Sequence, residues 1–528
     1  MDEKQLQEMM DEVTRGKEFD SYQIEQIRLG FEDGLSMEQV KIYADSRFDC
    51  EQMEEIRKGI IGIHALTTEQ VNMYVNPKFD VNQMKEIIKG FHHGLTMEQI
   101  QEYAEPKFDS EQMQEMREEA ESHLSEITTH YKGELGEFDY NRSDFVLLKD
   151  KDGGDFLRYN EYVGNLTLNL PKGIVDTRGM FAKCDIPSGF KLGDFDTSEV
   201  KNMQSMFYKC YMPNGFTLGD KFDTSKVENM SFMFNECNMS NNFTLGEYFN
   251  TENVTNMEGM LADCVMLENF TLGNKFDTSK VENMHGMFSG SSVLDNFSLG
   301  EHFNTENVTN MEGMFEYFCM PDEFTLGDKF DTSKVENMHD MFNNCTMPED
   351  FTLGEKFDTS KVEDMNGMFF KCDMSNNFTL GDYFNTSNVS RMSGMFASCS
   401  MPMSFTLGDN FDTSNVCETR GMFNNCDMSY DFTLGDKFDM KNVTDMRAMF
   451  ENCTMPDDFT LGEHFDTSNV EDMSYMFNGC SMPDDFVFND KFVINDNCDV
   501  YNMLDCDKDI DDLLPSEEFD LEADGEEI

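Results

Sequence analysis

A fixed period constrains this chain more than any other feature. A Met-Phe pair puts phenylalanine at Phe207, Phe234, Phe288, Phe315, Phe342, Phe369, Phe396, Phe423, Phe450 and Phe477, in steps of 27 or 54 residues. Leu261 fills the one gap, and Phe181 precedes the series by 26 residues. A repeat of this length is the signature of stacked units, because one unit cannot bury its apolar side alone. The 49 Phe and 45 Met among 528 residues supply the core that stacking needs, far more than disordered chains carry.

In the unit that starts at Met206, the inward set is Met206, Phe207, Cys210, Met212, Phe216, Leu218, Phe222, Val227 and Met230. Phe207, Cys210, Leu218, Asp223, Phe234 and Cys237 mark columns that recur in nearly every unit. Phe-Thr-Leu-Gly alternates with period 2, so Phe216 and Leu218 face one side of a short strand and Thr217 the other. About twelve such strands in register predict one parallel sheet roughly 58 Å long at about 4.8 Å per rung. Behind it, Asp223 is placed to cap a short helical return on which Val227, Met230 and Phe234 share a face. The fold class expected is a repeat protein: αα-hairpin repeats, then a leucine-rich-repeat-like β/α solenoid with one parallel sheet. Near copies such as NTENVTNMEGM at 250–260 and 304–314 point to tandem duplication.

The motif FDTSKVENMSFMFNEC at 222–237 resembles the BspA-like leucine-rich-repeat family, whose turns run close to F-D-T-S-N-V-T-N-M-S-G-M-F. The resemblance covers about 175–492. It implies surface-exposed proteins of bacteria and some protists that bind host or matrix proteins.

Residues 19–122 carry a different repeat, restarting at Phe19, Phe48, Phe79 and Phe108. Asp20, Asp49, Asp80 and Asp109 stand at helix N-caps, and Ser36, Thr67 and Thr96 are each followed three residues later by Gln, a capping box. Ile24, Ile27 and Phe31 are expected on one buried face, as are Met53, Ile56 and Ile60. This region resembles short helical repeats of the F-D-x-x-Q-M-x-x-I-R-x-G type in proteins of gut Firmicutes and their mobile elements. Between the arrays, two β-rich runs flank Asp152-Gly153, a hairpin signal. Asp150, Asp152 and Glu161 also mimic a calcium loop, against which Asp155 stands where glycine is needed. The domains expected are a helical array over 1–125, a junction and cap over 126–174, a solenoid over 175–498, and an acidic disordered tail over 499–528.

Ten of the fifteen cysteines form one column, from Cys184 to Cys480, with Ser291 and Phe318 in the remaining turns. Their parallel Cβ vectors suit stacked buried thiols better than disulfides, and no CxxC pair marks zinc. Free thiols also favour a reducing compartment. Methionine once per column reads as packing rather than copper ligation. The Asp column (Asp223, Asp277, Asp331, Asp358, Asp412, Asp439, Asp466) reads as capping, with calcium as the alternative; Asn250, Asn304 and Asn385 stand in three turns. No Walker loop, GxGxxG, HExxH or GxSxG occurs, and the histidines, His92-His93 included, read as surface residues. No catalytic residue, metal or cofactor is expected.

With 104 acidic against 40 basic residues the net charge is −64, which excludes binding nucleic acid through a basic face. Residues 505–528 hold twelve of those acids and one lysine. The expected function is a non-enzymatic interaction scaffold that presents a rigid acidic surface to a basic partner protein. Binding is expected at the variable positions Asn214, Asp322, Glu349, Asp457 and Asp484. A surface adhesin and an acidic mimic of DNA are the alternatives. No apolar stretch of membrane-spanning length and no basic-apolar leader is seen, so no membrane insertion is expected and the cytoplasm is the default location.

Overall fold

The structure is a computed structural model that describes residues 3–61, 66–149, 153–239, 243–266, 270–293, 297–504 and Leu513. The chain divides into two compact units, Met1–Ser240 and Asn241–Ile528. Most of the tail expected over 499–528 therefore lies outside the described residues, as do Asp150 and Asp152 of the calcium-loop alternative.

Among the described residues the first unit opens with eight α-helices: α1 (Glu3–Thr14), α2 (Ser21–Glu32), α3 (Met37–Tyr43), α4 (Cys50–Ile60), α5 (Thr68–Val71), α6 (Val81–His92), α7 (Met97–Gln101) and α8 (Ser110–Glu121). All seven predicted N-caps are in place. Each accepts the backbone N–H of the residue three positions on, and that residue's Gln side chain returns the bond. Three of these glutamines also leave their own repeat: Gln23 Nε2 donates to Phe48 O and Gln52 Nε2 to Phe79 O, both at 2.6 Å, and Gln83 does the same to Phe108 O. The face of α2 is a correction. Ile27 and Phe31 are buried, but Ile24 is exposed, because Gln23 turns inward to make its clamp. Met53, Ile56 and Ile60 are buried as expected. A mid-helix glycine, costly for a helix by itself, is explained by its neighbour. A Cβ at Gly30, Gly59 or Gly90 would lie 1.8, 2.1 or 2.0 Å from the hydroxyl of Tyr43, Tyr74 or Tyr103.

Two antiparallel hairpins follow, β1 (Thr128–Gly133) with β2 (Gly136–Asn141) and β3 (Phe145–Lys149) with β4 (Asp155–Tyr159). Only the second was signalled in the sequence. Beyond them, β5 (Thr167–Leu168) and β6 (Lys191–Leu192) pair in parallel, and the first 27-residue turns stack on this base.

The inward set predicted for the turn at Met206 is buried throughout, from Met206 and Phe207 at 0 % exposure to Phe216 and Leu218 at 3 %. The sheet and the helical return are corrected. Among the described residues no sheet has more than two strands; in the second unit the only strand pair is β7 (Val265–Met266) with β8 (Ser292–Val293). Phe-Thr-Leu-Gly forms no ladder there. Parallel bridges between successive turns run instead in two other columns. One passes through Asn283, Asn310, Asn337, Asp364 and Arg391, the other through Ser292, Cys319, Thr346, Asp373 and Ser400.

The expected return helix is a run of alternating turns. Every second N–H crosses to the next repeat, as Met338 to Asp364 O, Asp340 to Asn366 O, Phe342 to Met368 O and Asn344 to Phe370 O. The N–H groups between them close local turns, as Met341 to Met338 O and Asn343 to Asp340 O. This alternation needs two left-handed residues four apart. They are Gly286 (φ 58°) and Gly290 (φ 65°) in one turn, and Asp340 (φ 54°) and Asn344 (φ 55°) two turns on. Glycine and asparagine tolerate that conformation best, which accounts for the recurring Gly-Met-Phe.

Candidate protein-interaction surface

Each turn is fixed by three polar columns before anything is left for function. The Asp column caps turns rather than helices: Asp331 Oδ1 accepts Ser333 N–H at 3.0 Å, and Asp412 Oδ1 accepts Ser414 N–H at 2.9 Å. One carbonyl-type oxygen suffices, so Asn385 does the same for Ser387 at 2.9 Å. The Ser198 hydroxyl and N–H, donating to Asp196 in this column, hold its carboxyl below the usual range. Next to it stands a threonine that the sequence reading passed over. Thr359 is fully buried; its hydroxyl donates to Asn385 O at 2.8 Å and accepts Asn385 N–H at 2.7 Å. Thr305 with Asp331 and Thr386 with Asp412 repeat the clamp.

The cysteine column lies within the core. Cys237, Cys345, Cys399 and Cys453 point their thiols at Phe207 O, Phe315 O, Phe369 O and Phe423 O in the preceding turn, at 2.7, 2.6, 2.6 and 2.9 Å. Burial pushes the Cys237 thiol up to about 12, so it stays protonated and unreactive. None of the described cysteines is in a disulfide. Ser291 makes the same contact with Leu261 O, which shows that the column selects a small donor rather than sulfur.

One histidine departs from the expectation of a surface position. His93 is buried at 8 % exposure; its ring stacks on Tyr162 at 3.9 Å, and its Nδ1 lies 2.6 Å from Glu121. Arg117 ties the same cluster together, bonding Glu86 at 2.9 Å and Glu121 at 2.5 Å. In the second unit His285 lies between Glu258 at 3.6 Å and Glu312 at 3.8 Å, one turn to either side. His339 meets Asp340 at 2.9 Å, and this hydrogen bond raises its pKa against the opposing effect of burial.

All five sequence-predicted binding residues are exposed. Each follows a proline and belongs to a Pro-x-x-Phe turn closed by the Phe N–H, at 3.1 Å for Phe216, 2.9 Å for Phe324, 3.0 Å for Phe351, 3.1 Å for Phe459 and 3.2 Å for Phe486. Asn214 occupies this corner in the first unit, while Asp322, Glu349, Asp457 and Asp484 repeat it in the second. The structural columns marked at Phe207, Cys210, Leu218, Phe234 and Cys237 are buried, and Asp223 is half-buried.

Beyond these corners runs the Phe-Thr-Leu-Gly edge, which the sequence marks as a sheet strand and not as a surface. In the second unit, stacked phenylalanines of Phe-Thr-Leu-Gly lie 6.3 Å apart for Phe297 and Phe324, 6.4 Å for Phe324 and Phe351, and 6.5 Å for Phe351 and Phe378. In the Met-Phe column the step is shorter, 5.6 Å for Phe342 and Phe369 and 5.5 Å for Phe423 and Phe450. The Phe-Asp-Thr column is as wide, 6.3 Å for Phe330 and Phe357, so the short step belongs to the Met-Phe side alone. The gaps are open clefts: about 630 Å³ among Thr244, Tyr248, Thr271 and Lys275, and about 460 Å³ among Thr325, Asp328, Thr352 and Glu355.

Buried columns that recur with few exceptions, a main chain that bonds from turn to turn, and exposed corners that vary define a repeat protein. The chain belongs to the family described as Mycoplasma protein of unknown function, DUF285, whose family model matches residues 175–296, 240–349, 317–429 and 401–508 in overlapping copies. No curated protein and no solved structure matches the chain. Among the described residues, no helix is long and apolar enough to cross a membrane.

Proposed function

We propose that this protein is a non-enzymatic interaction scaffold whose turns form a solenoid and present an acidic rim to another protein with a basic surface. The observation that carries the reading is the repeated Pro-x-x-Phe corner: its core neighbours are invariant, while its exposed residues vary and are mostly acidic, as at Asp322, Glu349, Asp457 and Asp484. Variation on a constant support is the pattern of a binding face. The excess of 104 acidic over 40 basic residues would steer a basic partner from a distance. Exchanging Asn214, Asp322, Glu349, Asp457 and Asp484 for lysine should leave the far-UV circular dichroism unchanged and abolish capture of a basic partner; retained capture would remove these residues from the site.

A second reading, a BspA-like adhesin on the cell exterior, rests on the F-D-T-S-x-V-x-N-M motif and uses the same rim against a host or matrix protein. Protease shaving of intact cells separates the two locations. Loss of the repeat region before lysis supports the exterior, and protection until lysis supports the cytoplasm.

A further inference from the structure

The open Phe-Thr-Leu-Gly edge has three properties that the interaction reading does not use. Its exposed threonine recurs at Thr325, Thr352, Thr379, Thr406, Thr433 and Thr460, although it is neither core nor bonded to a neighbouring turn. Every other fixed column of the repeat is accounted for by burial, by a hydrogen bond or by a left-handed φ. The main chain of Leu326, Leu353 and Leu380 makes no cross-turn hydrogen bond, in contrast to the alternating segment opposite. The residue after Leu-Gly is acidic in every turn from Glu301 to Glu463, Asp490 holds the same place after Phe-Asn in the last turn, and each of these carboxylates is exposed.

The spacing of this edge indicates what fits it. The stacked phenylalanine rings beneath this edge have centroids 6.1 to 6.5 Å apart, and an extended polypeptide repeats every two residues, about 6.6 Å. Alternate side chains of such a peptide face the same way, so one side chain meets each turn with a drift of at most about 0.5 Å per step. The charge identifies that side chain. In the seven turns from Asp322 to Lys491, the two positions before and the two after Phe-Thr-Leu-Gly (Phe-Val-Phe-Asn in the last) hold sixteen carboxylates and four lysines.

We propose that this edge is a track for an extended basic peptide segment laid across successive turns, two residues per turn, with lysine or arginine at every second position. The inference rests on the proposed interaction function and narrows it to one mode of docking. Each basic side chain meets the carboxylate after Leu-Gly, such as Asp328, Glu355, Asp382 and Asp409 in order. The intervening peptide groups lie over the clefts, where threonine hydroxyls and unpaired main-chain groups are available to bond them.

The test is fluorescence anisotropy on the full chain at low salt, with labelled peptides of equal composition: alternating Lys-Thr pairs, and a block of lysines followed by a block of threonines. The alternating peptide should bind at least about tenfold more tightly and gain affinity as it lengthens from three pairs to seven, whereas the block peptide should not follow the turn count. The double variant Asp382→Lys with Asp409→Lys should weaken the alternating peptide by about tenfold. Glu336→Lys, an exposed control away from the edge, should leave it unchanged, and thermal melts should confirm the fold of both. Equal affinity for the two peptides would overturn the register, as would a double variant that binds normally. Capture of a folded basic protein without either peptide would overturn the track and keep the broader function. If no basic ligand binds, both readings fail.

Discussion

In the helical array each repeat closes its own main-chain hydrogen bonds inside α-helices, and what crosses to the next repeat is a side chain, as Gln23 to Phe48 O and Gln52 to Phe79 O. In the 27-residue turns the main chain itself crosses, as Phe342 N–H to Met368 O, with Thr359 adding a buried side-chain clamp in the same direction. A helical hairpin thus carries secondary structure of its own before it packs. An isolated turn has its Asx caps and local turns but lacks every second main-chain bond of its return segment. The second arrangement makes each turn depend on its neighbours, and in return leaves the exposed corners free of any structural duty. One substitution in each region can therefore compare a joint between turns with packing inside a helical repeat.

The largest effect is expected in the turns. Thr359→Val keeps the shape but strands the partly buried N–H and C=O of Asn385, at a cost of about 3 kcal/mol. The urea midpoint should fall, and amide exchange at Asn385 should accelerate. An unchanged midpoint would mean that the cross-turn main chain alone holds the joint. Met440 is a natural version of this lesion, standing where other turns have threonine.

In the helical array, Gly59→Ala should cost about 2 kcal/mol, because the new Cβ meets the Tyr74 hydroxyl at 2.1 Å. That hydroxyl is buried without a hydrogen-bond partner. Tyr74→Phe should therefore be neutral or stabilising alone, and should restore most of the loss in the double variant. Failure of the rescue would show that the glycine serves the helix backbone rather than the tyrosine.

The smallest effect is electrostatic. The folded pKa of His339 is raised, so its contribution is complete below about 6.5, the ordinary histidine value, and is lost as pH rises through the folded value. Because the side chain is more than one-third exposed, a fraction of about 1 kcal/mol is expected. His339→Gln should lower the urea midpoint in mildly acid buffer and leave it unchanged in alkaline buffer. The opposite order would mean that the charge of the ring beside Asp340 contributes nothing to stability.

Capping was legible because it is local: Asp80 and Gln83 lie three residues apart in sequence, and each supplies the bond the other needs. Burial was legible as well, since alternation shows which side chains of Phe-Thr-Leu-Gly face inward. Alternation says nothing about whether the backbone finds a partner, and this is where the predicted sheet failed. The return segment misled for a related reason. Spacings of three and four at Val227, Met230 and Phe234 suit a helix, yet turns that alternate between local and cross-turn bonds bring the same residues inward. The glycine before Met-Phe was the available signal, because a helix interior disfavours it. For the candidate surface, the exposed corners could be read from variability, but the wider step at the open edge is a property of stacking that no single repeat encodes.

The joint between one turn and the next is nearly the same wherever it occurs. A copying error that inserts or deletes a whole 27-residue unit therefore creates no new interface, since each flank meets the partner it already had. A slip of one residue would throw every column out of register at once. Selection on such a gene acts through whole-unit steps, and the near-identical stretches at 250–260 and 304–314 are what recent steps of that kind leave behind. Reach can then evolve by counting, separately from the corner residues that would decide what is held.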